Sequence, residues 1–307
     1  MSEPAHSDDL LEGAYVDLDI LLSLRYRHLT GSTQRRPNIG SRAGIRLAKA
    51  KGRGIDFAEV RLYQPGDDIR TIDWRVTARK NKPHTKVFRE ERERPTVVIT
   101  DQTQSMFFGS ELRLKSVAAA ELSAMLTWHT LASHDRAGGQ IIGNTSYATH
   151  KPYRSTKGAS RYLTDLAQFN CKLSAGGESV SAEVLNEALT QTNRMVKSNF
   201  RVILISGFND HLDVWRSHMR SLSRHGEVIA VRMSDKLEHD LPPADEYTVT
   251  DGHTRWQFHS GNLNLRTSYH RSHENTERLL EKTCSELAIR YVSLTTADPL
   301  NGVVGWL

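Results

Sequence analysis

The chain has 307 residues, 38% of them hydrophobic and 25% charged, which is the composition of a soluble globular protein with room for one large domain and an appendage. No stretch approaches the roughly 20 apolar residues that a membrane helix needs, and the polar, acidic start is unlike a secretory signal. The net charge is +5, and Cys171 and Cys284 lack the spacing of a metal-binding or redox pair, so we expect a reduced protein with a cytoplasmic location.

The first predicted element is an amphipathic helix over residues 15–29, which we assign to an N-terminal helical segment, 1–30. Apolar side chains recur at helical spacing from Tyr15 to Leu29, and Gly31 follows as a stop signal. Because an apolar stripe is buried when its helix packs on another element, we expect this helix to lie on another part of the protein.

Residues 31–94 are predicted to form a small, β-rich and basic subdomain. Its predicted elements are a loop over 31–54, strands over 55–63 and 85–91, a turn at 64–68 and a short helix over 69–78. Lys and Arg exceed Asp and Glu by 11 between residues 25 and 94, so the rest of the chain carries a net charge of −6. The acids are interleaved with the arginines, which favours an internally paired network, and the alternative is a surface for nucleic acid or an acidic partner.

Strands and helices alternate over residues 95–307. Strands spaced by helices of this length are typical of the α/β class, here a doubly wound, mostly parallel sheet that helices cover on both faces. The predicted strands are 95–100, 136–142, 145–150, 201–206, 227–231 and 289–294, with a short β pair over 247–258; the predicted helices are 111–133, 158–169, 180–195, 212–223 and 267–288.

A polar cluster directly follows the first apolar strand, at the edge where open α/β sheets bind ligands. Asp101, Thr103 and Ser105 place one carboxylate and two hydroxyls at alternate positions. Hard oxygen donors of this kind suit Mg²⁺ or Mn²⁺. A polar turn in which Thr103 or Ser105 caps the next helix has the same composition, and these residues alone do not separate the two interpretations.

The segment from Arg61 to Arg79 carries the most specific pattern in the chain, RLYQPGDDIRTIDWRVTAR. It resembles the hallmark of the bacterial domain-of-unknown-function 58 family, and the resemblance extends from about Gly54 to Leu300. This resemblance implies a small β subdomain joined to a von Willebrand factor type A-like, Rossmann-like domain. It also implies action beside AAA+ ATPases of the MoxR type, in chaperone-like maturation or assembly of other proteins.

The same segment predicts local structure from its residues. Pro65-Gly66 sets a tight turn, Asp67 or Asp68 caps the short helix that follows, and Trp74 is expected to pack the subdomain against the sheet. The arginines are expected to form bidentate pairs with nearby acids. The alternative is that these residues form a recognition surface; the candidate residues for either role are Arg61, Tyr63, Asp67, Asp68, Arg70, Asp73, Trp74 and Arg79.

The family resemblance also implies a role for Asp101, Thr103 and Ser105, which are similar to the first loop of a metal-ion-dependent adhesion site. In such a site a carboxylate of a partner protein completes the coordination of a divalent cation. The second loop, 174–179, offers Glu178 or Ser179 where a threonine is expected, and the third offers Asp210 from a displaced position because Gly207 stands where a carboxylate is expected. The expected Mg²⁺ site is therefore degenerate and of low affinity, since Mg²⁺ dehydrates reluctantly.

These observations predict a non-catalytic protein-interaction module that is the partner of a MoxR-type ATPase. The sequence has no phosphate-cradling Gly-Lys-Ser/Thr loop, so nucleotide-driven work would come from that partner. The first alternative is binding of nucleic acid or an acidic partner through residues 25–94. A Mg²⁺-dependent phosphoryl transferase with Asp101 as nucleophile is less favoured, because haloacid dehalogenase-type enzymes need a second aspartate where this chain has Thr103.

Overall fold

A computed structural model describes residues 11–27, 55–90, 94–250 and 254–304, without the side chains of 55–59, 87–90 and 302–303. The chain divides into two compact units, one of residues 35–93 and one of residues 1–34 with 94–307. The loop predicted over residues 31–54, the end of the predicted N-terminal helix and the glutamates at 91 and 93 lie outside the described residues.

The small unit is built on an antiparallel pair of strands, β1 (Ile55–Leu62) and β2 (His84–Glu90). A 3₁₀ turn (Ile69–Thr71) and a helix, α2 (Trp74–Lys80), lie between them. The single helix predicted over 69–78 is wrong, because Asp68 and Asp73 have extended backbones and each caps its own short helix. The Asp73 amide donates to the His84 carbonyl at 2.8 Å, which ties this connection to β2.

The large unit contains a six-stranded sheet in the order β10-β7-β6-β3-β4-β5. All neighbouring strands are parallel except β5, which runs antiparallel to β4. The predicted α/β class with a mostly parallel, doubly wound sheet is confirmed. The strands are β3 (Thr96–Gln102), β4 (Ala137–Gly143), β5 (Tyr147–Tyr153), β6 (Phe200–Ser206), β7 (Gly226–Ser234) and β10 (Arg290–Thr295), and a separate hairpin joins β8 (Glu246–Thr250) to β9 (Arg255–His259).

Helices cover both faces of this sheet, and alternate residues of β3 pack into the two hydrophobic cores on either side of it. Val98 faces a core that also contains residues of α1, α3 and α4. Val97 and Ile99 face a core that also contains residues of α5, α6 and α8. The helices are α1 (Leu18–Arg27), α3 (Lys115–Ala132), α4 (Thr156–Cys171), α5 (Ala182–Met195), α6 (Leu212–Leu222), α7 (Lys236–His239), α8 (Leu263–Glu286) and α9 (Asn301–Val304).

Helix α1 lies on the large unit, with Leu21 and Leu24 buried in the same core as α3. The Trp128 indole donates to the Leu21 carbonyl at 3.0 Å. The Leu21 carbonyl accepts a hydrogen bond from α3, and both leucine side chains pack in the same core as α3. Helix α1 is therefore an integral part of the large unit.

Two long helices begin at different residues from those predicted. Helix α3 starts at Lys115 instead of 111, because the preceding segment pairs with the N-terminal segment through a bridge between Gly13 and Arg113. Helix α8 starts four residues earlier than predicted, because Asn262 caps it by accepting from two backbone amides. Among the described residues, no helix is long and apolar enough to cross a membrane.

Candidate functional site

Asp101 lies near the carboxyl end of β3, and its carboxylate is buried. One oxygen accepts a hydrogen bond from the Thr103 amide at 3.0 Å, and the other accepts one from the Ser206 hydroxyl at 2.5 Å. Ser206 is the last residue of β6, the strand beside β3. The carboxylate therefore joins two parallel strands at the edge where ligands bind in this class of sheet.

Burial raises the pKa of the Asp101 carboxyl, because the charged form loses hydration. The hydrogen bonds from Ser206 and Thr103 partly oppose this effect, and the charge of Asp210 reinforces it. The charge of Asp210 repels that of Asp101, so the β3 and β6 loops each contribute a carboxylate to the electrostatic environment of this edge. A cation placed there would relieve both the repulsion and the lost hydration.

The two hydroxyls of the first loop lie together. Thr103 Oγ1 and Ser105 Oγ are 3.2 Å apart, with Thr103 buried and Ser105 half-buried. Thr103 precedes a 3₁₀ turn, Gln104–Met106, but its side chain makes no capping hydrogen bond, and the next α-helix begins only at Lys115. The helix-cap interpretation of Thr103 and Ser105 is therefore wrong.

The third loop brings Asp210 toward this cluster, while Gly207 leaves the expected carboxylate position without a side chain. Asp210 Oδ2 is buried and has no hydrogen-bond partner among the described residues. A buried carboxylate oxygen without a donor is unusual, because its desolvation is not compensated. The Phe208 backbone is left-handed, with φ of 54°, and its amide donates to the Ser206 hydroxyl at 2.9 Å.

Sequence analysis missed Lys115, whose ammonium group stands beside the vacant carboxylate position. A Cβ atom on Gly207 would lie 3.4 Å from Lys115 Nζ. The Lys115 side chain is fully buried and donates to Glu238 at 2.6 Å. Since 123 residues separate the two partners, no local pattern in the sequence connects them.

The second loop approaches the first through its backbone and not through Glu178. The Gln104 side chain donates to the Ser174 carbonyl at 2.9 Å. Glu178 is exposed and lines a cleft of about 260 Å³ with Gln102, Asn144 and Lys172. Within the described residues, no hydrogen bond joins Glu178 to Asp101, Thr103 or Ser105. Glu178 is therefore not part of the hydrogen-bonded cluster that these three residues form.

In the small unit, the predicted charged segment forms local pairs. Arg61 donates to Asp67 at 2.7 Å, and that contact, together with the Gln64 amide, lowers the pKa of the Asp67 carboxyl. Tyr63 donates its hydroxyl to the Asp67 carbonyl at 3.4 Å. The pair is formed by one nitrogen and one oxygen, so the expected bidentate geometry is not found for Arg61.

The remaining residues of this segment have different roles. Asp68 caps the 3₁₀ turn, which confirms one of the two predicted caps, and Asp73 caps α2 and lies 3.5 Å from Lys86 Nζ. Arg70 and Arg79 are exposed. Trp74 is 67% exposed, and its predicted packing against the sheet stays a prediction.

The mostly parallel sheet covered on both faces, with hydroxyls and a carboxylate at its carboxyl edge, is the arrangement of doubly wound α/β domains that bind ligands at this edge. The family model described as "Protein of unknown function DUF58" matches residues 59–278, and the chain belongs to that family.

Similar proteins extend the comparison. The chain is 27% identical over 246 residues to uncharacterised proteins of Mycobacterium bovis and Mycobacterium tuberculosis, an alignment that covers 80% of this chain and 75% of each relative. Two solved structures are similar: conserved hypothetical protein BatB from Bacteroides thetaiotaomicron, 12% identical with a TM-score of 0.38, covers 69% of this chain and 95% of its own. A von Willebrand factor type A protein from Catenulispora acidiphila is 13% identical with a TM-score of 0.29, and the match covers 49% of this chain and 35% of that protein.

Proposed function

We propose that this protein is a non-catalytic interaction module that binds a partner protein at the carboxyl edge of its large sheet. The observation that carries the proposal is that Asp101, Thr103 and Ser105 lie together at this edge, where the charge of Asp210 also acts on Asp101 and Asp210 Oδ2 has no hydrogen-bond partner among the described residues. Polar groups left incompletely satisfied at a sheet edge favour a ligand that completes their contacts.

The environment of Asp101 favours binding over chemistry. Both oxygens accept hydrogen bonds, one from the Thr103 amide and one from the Ser206 hydroxyl, and neither donor is a carboxylic acid of the kind expected for phosphoryl transfer. Thr103 occupies the position of that second acid. The groups at this edge are therefore better suited to holding a ligand than to moving a proton.

The residues fit a weakly held Mg²⁺ ion. Asp101, Thr103, Ser105 and Asp210 would supply hard oxygen donors, and the ion would present an open position to a carboxylate of the partner. Lys115 opposes the ion, because its buried ammonium already contributes one positive charge beside Gly207. We therefore propose low Mg²⁺ affinity and do not include Glu178 among the ligands.

The proposed partner is an AAA+ ATPase of the MoxR type, in chaperone-like maturation or assembly of other proteins. Membership of the domain-of-unknown-function 58 family supports this proposal, together with the absence of a Gly-Lys-Ser/Thr phosphate loop from the sequence. In this arrangement the ATPase supplies the nucleotide-driven step, and the present chain supplies recognition.

An affinity pull-down from the native cell extract tests the proposal, with and without Mg²⁺, using wild type and Asp101→Ala. Glu187→Ala is the matched control, because Glu187 is an exposed carboxylate on α5. We expect an ATPase among the wild-type partners, its loss in Asp101→Ala, and its retention in Glu187→Ala. Recovery of the same partners in every sample would show that the edge of the sheet is not the binding site.

The second candidate function is binding of nucleic acid or an acidic partner by the small unit. The exposed Trp74 favours it, because α2 presents this ring together with exposed Arg75, Arg79 and Lys80. An aromatic ring beside several cations suits a base and its phosphates. A gel shift with a short oligonucleotide across a range of salt concentrations tests it, since phosphate neutralisation gives a steep salt dependence.

A further inference from the structure

A second cluster of ligating side chains lies away from Asp101, between α7 and α8. His239 is the last residue of α7, and His273 and Glu277 lie on α8. One potential ligand atom from each of the three residues lies within 4.8 Å of the other two, and all three residues are half-buried. The histidine rings face one another with centroids 4.0 Å apart.

The local structure holds these three residues in place. His273 and Glu277 are four residues apart on one helix and so share one face. Helix α7 is fixed at its start by a capping box between Asp235 and Glu238. The Tyr269 hydroxyl on α8 donates to the Leu237 carbonyl of α7 at 2.7 Å, so the two helices that carry the cluster are directly joined.

We infer that His239, His273 and Glu277 form a binding site for Zn²⁺. Two imidazoles and one carboxylate make up a known zinc ligand set, with a fourth position open for water or another ligand. Ligands at about 2.0–2.2 Å from a tetrahedral ion lie about 3.4 Å from one another. The limit of 4.8 Å therefore requires closure of at most about 1.4 Å, which side-chain rotation supplies without moving either helix.

Neighbouring polar groups support the ligands. Glu277 Oε1 accepts from Ser293 at 3.2 Å and from Tyr291 at 3.4 Å, and His239 Nε2 lies 3.1 Å from the Ser234 hydroxyl. Contacts of this kind fix the orientation of metal ligands. Because β7 and β10 supply them, the site is supported by the sheet as well as by the two helices.

Arg232 sets the affinity and the nature of the fourth ligand. Its Nη2 donates to His273 Nε2 at 3.2 Å, so a metal ion at that nitrogen has to displace this hydrogen bond, and its Nη1 is buried without a hydrogen-bond partner among the described residues. A fixed cation beside a metal ion weakens binding, so the affinity is moderate. The same guanidinium favours an anionic fourth ligand, since it offers a donor to that anion.

Calorimetric titration of the full chain with Zn²⁺ tests the inference, using metal-free protein from which any histidine tag has been removed. The variants are His239→Gln, His273→Gln and Glu277→Gln. His270→Gln is the matched control, because His270 is an exposed histidine one turn away on α8 and glutamine retains a donor for the contact that His270 makes with the His239 carbonyl. Asp101→Asn separates this site from the carboxyl-edge cluster, and circular dichroism confirms that each variant is folded.

We expect one Zn²⁺ per chain in wild type, His270→Gln and Asp101→Asn, and an affinity loss of at least about tenfold in each of the three ligand variants. Co²⁺ in place of Zn²⁺ is expected to give the visible absorption of a tetrahedral site, and to lose it in His273→Gln. The inference is wrong if wild type binds no Zn²⁺, if the ligand variants bind as wild type does, or if His270→Gln weakens binding as much as they do.

Discussion

Gly207 is the position at which one added carboxylate changes the proposed cation site most directly. A Cβ atom there would lie 3.3 Å from Asn209 Nδ2, 3.4 Å from Lys115 Nζ and 3.5 Å from Met106 Sδ. All three atoms are at the ends of side chains, and the Gly207 backbone is not left-handed. The substitution Gly207→Asp should therefore be accommodated by small side-chain movements.

The expected gain in Mg²⁺ affinity follows from the charges. At an effective dielectric constant of about 20, two unit charges 4 Å apart interact by about 4 kcal/mol, so a dication would gain about 8 kcal/mol from the new carboxylate. Lys115 lies beside the same position, so its contact with the new carboxylate has to weaken when the ion binds, and this offsets part of the gain. Dehydration of the ion reduces the remainder further, and a gain of at least about 1.4 kcal/mol, or tenfold in affinity, is left.

Titration calorimetry with Mg²⁺ on wild type, Gly207→Asp and Gly207→Asn measures this gain. Asparagine has nearly the same shape as aspartate but no charge, so it controls for the added volume. We expect tighter binding only in Gly207→Asp. Equal affinity in all three proteins would refute the placement of the cation beside residue 207, and equal gains in both variants would refute the electrostatic reasoning.

Three further predictions concern buried polar groups. Asp101→Asn should raise the melting temperature of the metal-free protein at neutral pH, because burial raises the pKa of the Asp101 carboxyl and its ionised form is destabilising. The difference in melting temperature from wild type should shrink as the pH falls toward 3.8. Calorimetry at several pH values measures this trend, and its absence would contradict the prediction. Arg113→Met should lower the free energy of unfolding by about 3–5 kcal/mol, because Glu121 loses the charge of its buried partner, and urea denaturation should show only part of this loss recovered on adding Glu121→Leu, since the Thr296 and Asp298 carbonyls still lack the donors of Arg113. Burial raises the pKa of Tyr162 to about 12 from its ordinary 10, so the folded state holds this proton longer and stability should fall between pH 10 and 12; denaturation at several pH values should show a shallower fall in Tyr162→Phe, and an unchanged slope would contradict the assignment.

The strands of the sheet were predictable because each has a recognisable local sequence pattern. Residues 96–102 of β3 are all buried, and the apolar residues 97–99 at its centre give the pattern of a strand covered on both faces. The small unit was less predictable, because two aspartates five residues apart divide what reads as one helix.

The residues of the candidate sites were also predictable only where they lie close together in sequence. Asp101, Thr103 and Ser105 were predictable because one loop holds all three. Lys115 was not, because it appears in the sequence only as a charge near the start of an apolar helix. Its position becomes informative once folding brings it to Glu238 and Gly207. His239 is likewise distant in sequence from His273 and Glu277, and only the packing of α7 on α8 joins them.

Lys115 changes what metal dependence should mean for partner binding at this edge. Its charge is part of the chain, so it is present at every Mg²⁺ concentration, whereas a site with three carboxylates would be empty without the ion. A partner that needs Asp101 but binds equally with and without Mg²⁺ would therefore recognise the edge as Lys115 organises it, without a metal bridge. If wild type needs Mg²⁺ and Gly207→Asp needs less of it, the ion is the bridge, and the missing carboxylate limits it.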